Sequence, residues 1–336
     1  MPESPLDEAR IIAVIREMAS GHHPGVEIPI GDDAAQFHFA GGDVLLTTDS
    51  MYEGVHFTLD TCGLSDVGWK CAAAGVSDIA AMGGQPSCAL LSAAFERAPG
   101  LAQVRALAGG LLEMLSSCHC ALVGGDVCRS TGGLCLTVTV AGTPPRAGTV
   151  RRDGAKEGDL IGLTGTAGDS AAGLYILRHG DERLRADHPA LVEAHLRPRP
   201  RVLAGGVLAE AGISAMEDVS DGIAADLSHI CDESGVGCEI ERSLIPLSGE
   251  VVELAARVGV DPLEWALSGG EDYELLFTAS SDRFDNAAGA LAAHGVGVSR
   301  LGEMTGAGRG RFVIGDGGER TELGGAGFDH FAGGAG

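Results

Sequence analysis

The chain predicts an α/β protein of two domains, and three observations carry that reading. Its 336 residues exceed what one core usually serves, and 45% hydrophobic against 21% charged residues is the balance of a globular chain. Apolar, β-branched runs alternate with helix-period segments in both halves. Between the halves, residues 142–158 hold Pro144-Pro145 and several glycines, a composition that interrupts regular structure. The expected division is therefore 1–145 and 146–336.

Residues 6–18 place Ile11, Ile12, Val14, Ile15 and Met18 on one face of an amphipathic helix. Val44-Leu45-Leu46 reads as a buried strand entered from the turn Gly31-Asp32-Asp33 and ending at Thr47-Thr48-Asp49. Residues 65–82 read as helix with Ser65 as N-cap, stopped by Gly83-Gly84-Gln85-Pro86. A strand over 87–94, a helix over 101–117 and a short strand over 121–123 follow, the last running into Gly124-Gly125-Asp126. Residues 134–140, LCLTVTV, are a β-branched strand. The second half predicts strands at 159–163, 238–240 and 273–278, and near Val298 and Phe312. Helices are expected after the glycine-rich run 165–173, and over 198–211, 223–231 and 283–294.

A formal charge of −24, with 21 Arg and two Lys, argues against non-specific binding to nucleic acid or an anionic membrane. The polar start MPESPLDEAR, and the lack of any apolar run near 18 residues, predict a cytoplasmic protein. Nine cysteines, an odd number, fit reduced thiols better than a disulfide framework. Cys118-His119-Cys120 lacks a second ligand pair at a zinc-finger interval, so no structural zinc is expected.

Four small-residue turns carry carboxylates: Gly31-Asp32-Asp33, Thr48-Asp49, Gly125-Asp126 and Asp218-Val219-Ser220-Asp221. Asp78 stands alone among the small and apolar residues of its helix. Converging carboxylates repel and raise one another's pKa, and a hard cation with oxygen ligands removes the conflict. Glycines at such turns let a polyphosphate approach the backbone. GxxxxGK[ST], GxGxxG, HExxH and GxSxG are all absent, so ATP, if used, is handled by aspartates, magnesium and arginine. Capping the helix near Gly222 is the alternative role for Asp218 and Asp221.

The motifs IGDDAA, TTDSMYEGVHF, VSDIAAMGGQP, VGGD, TGTAGDSAAGL, HLRPRPR, EDVSDGIAADL and LSGGEDYELLFT occur in that order. Together they resemble the thiamine-monophosphate kinase family, whose wider relatives are the aminoimidazole-ribonucleotide synthetase-like ATP enzymes. The resemblance spans residues 31–331. It implies two mixed-sheet α/β domains, the N-terminal sheet forming a homodimer and the C-terminal domain completing the site. It implies ATP-dependent conversion of thiamine monophosphate to thiamine diphosphate, the last step of that biosynthesis, by direct in-line transfer with several magnesium ions. By motif, Asp33, Thr47, Thr48, Asp49, Asp78, Asp126, Asp218 and Asp221 correspond to metal ligands, with Asp49, Asp78 and Asp126 arranging metals around the triphosphate. Gly125, Asp126, Arg152 and Ser220 correspond to ATP contacts, with Arg151 as the alternative to Arg152. His56, Glu271 and Phe328 correspond to contacts with the thiamine phosphate, Phe328 standing where the family has Tyr. Two rivals remain. The first is another enzyme of the superfamily. Selenophosphate-synthetase relatives need a reactive Cys or selenocysteine early in the chain, yet none precedes Cys62, and a hydrogenase-maturation relative ends in Cys, yet the last here is Cys238. That leaves the purine-pathway synthetase, against which LSGGEDYEL argues. A non-catalytic nucleotide-binding dimer is the rival of another class.

Overall fold

The structure, a computed structural model, describes residues 25–324 together with Ile12 and Arg16. Ile12 and Arg16 are helical, and the rest of the helix expected over 6–18 lies outside the described residues, as does Phe328.

The first sheet has six strands: β1 (Val26–Ile28), β2 (Ala35–Phe39), β3 (Gly42–Tyr52), β4 (Gln85–Phe95), β5 (Ala121–Arg129) and β6 (Cys135–Thr143). Their order is β1-β2-β3-β6-β4-β5, antiparallel except for the parallel pair β4–β5. Helices α1 (Leu64–Ala81) and α2 (Leu101–Ser117) complete this half. Two expectations need correction here. The strand expected to end at Thr47-Thr48-Asp49 runs on to Tyr52, because β-branched Thr47 and Thr48 pair with Val140 and Thr139 of β6. The glycines expected to end the strand at 121–123 lie inside β5, where the register slips by one residue against β4.

Helix α1 lays Ala72, Val76 and Ile79 on the sheet, all fully buried with Leu45, Leu136, Val138 and Val140. Gly63 rather than Ser65 is its N-cap, and the Ser65 hydroxyl accepts from Arg197 instead.

The second sheet has seven strands: β7 (Leu160–Thr164), β8 (Ala215–Asp218), β9 (Gly237–Glu241), β10 (Leu275–Ala279), β11 (Val298–Thr305), β12 (Arg311–Ile314) and β13 (Arg320–Glu322). Their order is β13-β12-β9-β11-β7-β10-β8, with only β9–β12 parallel. Around them pack α3 (Asp169–His179), α4 (Glu182–Asp187), α5 (Pro189–Leu196), α6 (Val202–Ala211), α7 (Ile223–Ser234), α8 (Gly249–Val258), α9 (Pro262–Ser268) and α10 (Ser281–Ala293). The helix expected from residue 198 starts at Val202, since Pro198 and Pro200 hold their neighbours out of the helical region. The strand expected from Tyr273 starts at Leu275, because Tyr273 is left-handed with φ 51°.

The two halves meet along α1. Gly205 of α6 lies against it so closely that a Cβ there would sit 2.1 Å from the Ala80 carbonyl oxygen. The Trp69 indole donates to the Pro198 carbonyl at 2.7 Å. Arg197, from the HLRPRPR motif, donates to Asp66 at 2.8 Å and Glu113 at 2.9 Å and lies over the Trp69 ring. That motif thus binds one half to the other.

Candidate active site

Strand alternation sorts the residues of β3. Thr47 and Asp49 face α1, where the position of Gly75 leaves room beside Asp49, whereas Thr48 and Ser50 face outward. The Thr48 hydroxyl bonds the Val138 carbonyl and Thr139, both at 3.1 Å, so its side chain is turned away from the acidic group. The Thr47 hydroxyl donates to Asp78 Oδ2 at 2.5 Å. Asp78 reaches this point from α1, and the Asp49 carboxylate is its strongest charged neighbour.

From the second half, Asp218 stands at the end of β8 and accepts the Ser77 hydroxyl at 2.5 Å. Asp33, from the turn before β2, completes the group. Carboxylate oxygens of Asp33, Asp78 and Asp218 lie within 4.8 Å of one another. For Asp218, Asp78 and Asp49, burial is the first cause that raises the pKa, and crowding adds to it. Asp218 is pushed up to about 8 by burial and then by Asp33. Asp78 is held well above the carboxylate range by burial and then by Asp49, Asp218 and Asp33. Asp49 is raised by burial with Asp33 adding to it, and its Oδ2 is buried without a hydrogen-bond partner. An all-oxygen set with an orphaned buried oxygen fits a hard divalent cation.

Arg152 brings a cation to the group. Its guanidinium bonds Asp33 at 2.7 Å and Glu217 at 3.0 Å, while Arg151 pairs with Asp153 at 2.5 Å and stays half-exposed. Of the two arginines, Arg152 joins the acidic group. Asp221 and Ser220 form the loop after β8, and Gly222 is the N-cap of helix α7, which has no side-chain capping bond. The amides of Ser220, Asp221 and Gly222 all donate to Asp226 Oδ2, at 3.1, 3.3 and 3.1 Å. Asp226 therefore takes the capping part weighed for Asp218 and Asp221.

Asp126 lies apart from this group, exposed on edge strand β5 opposite Ser92 of β4. Gly125 beside it is required by close approach: a Cβ there would meet the Leu91 carbonyl oxygen at 1.8 Å. His56 accepts the Tyr52 amide at its Nδ1 at 3.0 Å. Glu271 accepts Lys70 Nζ at 2.8 Å, and burial of its carboxylate is outweighed by Lys70, His195 and His56, which hold its pKa low. His56 and Glu271 therefore share one electrostatic neighbourhood.

Sequence reading missed Lys70, Ser77, Glu217 and Asp226. Lys70 and Ser77 had a signal: polar side chains seven residues apart in an apolar helix share a face, which needs a polar surface to meet. Glu217 had none, since nothing in a strand-end acid announces an arginine 65 positions away in the chain.

Two mixed sheets joined through a buried carboxylate cluster and an arginine define the class: an α/β protein with a candidate cation site between its halves. Residues 31–143 match the AIR synthase related protein N-terminal domain and residues 156–315 its C-terminal domain. The chain is 38% identical over 312 residues to the thiamine-monophosphate kinase of Escherichia coli K12, covering 91% of this chain and 93% of that one. It is 34% identical to the Bacillus subtilis enzyme of the same name, covering 84% and 86%. A solved structure, AaThiL complexed with AMPPCP and TMP, superposes with a TM-score of 0.85 at 32% identity, over 98% of this chain and 100% of that one. The chain belongs to the thiamine-monophosphate kinase family.

Proposed function

We propose that this protein transfers the γ-phosphoryl group of ATP to the phosphate of thiamine monophosphate, giving thiamine diphosphate and ADP. The observation that carries the reading is the convergence of Asp33, Asp78 and Asp218 beside the unpartnered Asp49 oxygen, in a chain related to thiamine-monophosphate kinases along nearly its whole length. The reaction forms a bond from an acceptor phosphate oxygen to the γ-phosphorus and breaks that phosphorus's bond to the β,γ-bridging oxygen. The acceptor supplies its own nucleophile, so the protein's share is positioning and electrostatics.

Asp33, Asp49, Asp78 and Asp218 are the residues to hold magnesium, with Asp126 and Asp221 and the Thr47 and Thr48 positions extending the set along the nucleotide. Bound magnesium neutralises phosphate oxygens. Arg152 adds positive charge, Gly125 allows close backbone approach and Ser220 contributes a loop contact. His56, Glu271 and Phe328 take the acceptor, whose cationic thiazolium suits a carboxylate. The division at 145/146 puts Arg152 at the start of the second domain. Exposed Val123, Val127 and Leu90 on the edge strand and its neighbour, at 62%, 73% and 46%, support dimerisation through the first sheet. Among the described residues no helix is long and apolar enough to cross a membrane.

The test is ADP release from magnesium-ATP with thiamine monophosphate, beside free thiamine and no acceptor, with the product identified by mass. Thiamine diphosphate formed from the monophosphate alone, and lost in Asp49→Asn, is the expected result. ADP without that product overturns the assignment of acceptor.

A further inference from the structure

Lys70 has no accessible surface and is one of only two lysines in the chain. It projects from the face of α1 that meets the second domain, one heptad before Ser77. Its Nζ donates to Glu271 Oε2 at 2.8 Å and lies 3.2 Å from His195 Nε2. An ammonium can only donate, so Nε2 accepts and the imidazole proton is assigned to Nδ1. That Nδ1 faces Ser170 Oγ at 3.1 Å and Glu271 Oε2 at 3.5 Å.

An enclosed ammonium is costly, and an apolar side chain of similar size would fill this helix position at less expense. What the charge does is visible in its partner. Glu271 is the member of the network that remains open, with 24% of its side chain exposed, whereas His195 and Ser170 are buried. It stands on a strained loop, with φ of 67° at Glu271 and 51° at Tyr273. Non-glycine residues adopt that region at a cost and persist there where their surroundings hold them. The Glu271 and Tyr273 amides donate to the Ser220 and Val219 carbonyls, at 2.8 and 2.9 Å. Asp272 accepts the Gly168 and Ser170 amides at 2.6 and 3.0 Å. The backbone is thus fastened on two sides, and Lys70 fastens the side chain from across the domain boundary.

We propose that Lys70 is a positioning residue for the acceptor: its ammonium, steadied by His195 and Ser170, holds the Glu271 carboxylate in one orientation toward the cationic ring system of the bound substrate. This rests on the reading of Glu271 as an acceptor contact. Lys70 itself touches no substrate. Without it, ordering of the Glu271 side chain is deferred to the moment of binding and opposes it.

The test is steady-state kinetics on the wild type, Lys70→Met, Lys70→Arg, Glu271→Gln and the Lys70→Met, Glu271→Gln double variant, varying thiamine monophosphate and magnesium-ATP in turn. We expect Lys70→Met to raise KM for thiamine monophosphate about tenfold and to leave KM for ATP within about twofold. The double variant should be no worse than Glu271→Gln alone, since the lysine acts through that carboxylate. Lys70→Arg restores a cation with a bulkier planar head, so its acceptor KM should fall between wild type and Lys70→Met. If Lys70→Met does not fold, Lys70→Arg carries the test, with a raised acceptor KM and an unchanged ATP KM. A lower melting temperature and kcat with both KM values unchanged would mean a merely structural lysine and overturn the proposal, as would additive losses in the double variant. Wild type that leaves thiamine monophosphate unphosphorylated removes the acceptor reading and this one together. Wild type that turns over, matched in both KM values by Lys70→Met, removes only the role of Lys70.

Discussion

Replacing Asp78 by Asn should stabilise the metal-free protein while abolishing its response to magnesium. At 4.8 Å and an effective dielectric of about 20, two ionised carboxylates repel by about 3 kcal/mol. Asp78 faces two such neighbours in the cluster, and Asp49 besides. The ion pair of Arg152 with Asp33, and the raised pKa values of Asp78 and Asp218, remove most of that repulsion in the metal-free state. A residual gain of about 1–3 kcal/mol is expected on neutralising one member, or about 2–4 °C of melting temperature per kcal/mol. Asn fits the site sterically: its Oδ1 can accept the Thr47 hydroxyl, and its amide can donate to the Asp49 oxygen that otherwise has no partner. The assay is thermal unfolding in chelator, then in magnesium, then in magnesium with ATP. Wild type should gain stability at each step, whereas the variant should start higher and gain little. A variant that melts below wild type in chelator, or that gains as much from magnesium, refutes the cluster as a cation site held under mutual repulsion.

Gly125→Ala should cost about 2–4 kcal/mol, because its Cβ would collide with the Leu91 carbonyl oxygen at a φ of 154°. Gly124→Ala is the control, since its Cβ would meet only the flexible end of Leu90 at 3.3 Å, and melting temperatures of the two variants decide. His195 has a pKa lowered to about 4 by burial and then by Lys70, so the folded protein resists a proton that the unfolded chain accepts near 6.5. Its contribution to stability is complete above about pH 6.5 and is lost as pH falls toward 4, by up to about 3 kcal/mol. The difference in unfolding free energy between wild type and His195→Gln, followed from pH 7 to 4, should show that loss. A difference independent of pH would contradict a neutral, buried His195.

Much of the site was legible because its members are short-range anomalies. Asp78 is a lone acid on an apolar helix, and Asp33 and Asp218 follow or precede small residues at turns. What was not legible depends on contacts distant in sequence. Glu271 looks like a solvated turn acid until Lys70 reaches it from 201 positions away. Glycines misled at β5, where Gly124-Gly125 reads as punctuation but serves the close passage of β4. The helix α4 was missed although Asp181 caps it by accepting the Leu184 amide, because six residues are too few to display a period. The apolar run Val44-Leu45-Leu46 alone suggests a strand ending at Thr47-Thr48-Asp49, and pairing with β6 carries it on to Tyr52.

Helix α1 links the two parts of the candidate site. On one side Asp78 joins Thr47 and Asp49 of the first sheet. On the other, Lys70 and Ser77 hold Glu271 and Asp218 of the second half. Seven residues of helix separate Lys70 from Ser77, about 10 Å along the axis at 1.5 Å per residue. That length sets the spacing between the Glu271 carboxylate, proposed above for the acceptor, and the acidic cluster. Ala72, Val76 and Ile79 seat the same helix on the sheet with no accessible surface, so it cannot shift without opening a core. Accurate transfer between two phosphates requires that the group holding the acceptor and the groups holding the donor keep a constant separation. With Glu271 and the acidic cluster in the roles proposed above, one buried helix keeps it, which would account for a costly lysine and a costly aspartate in its otherwise small and apolar sequence.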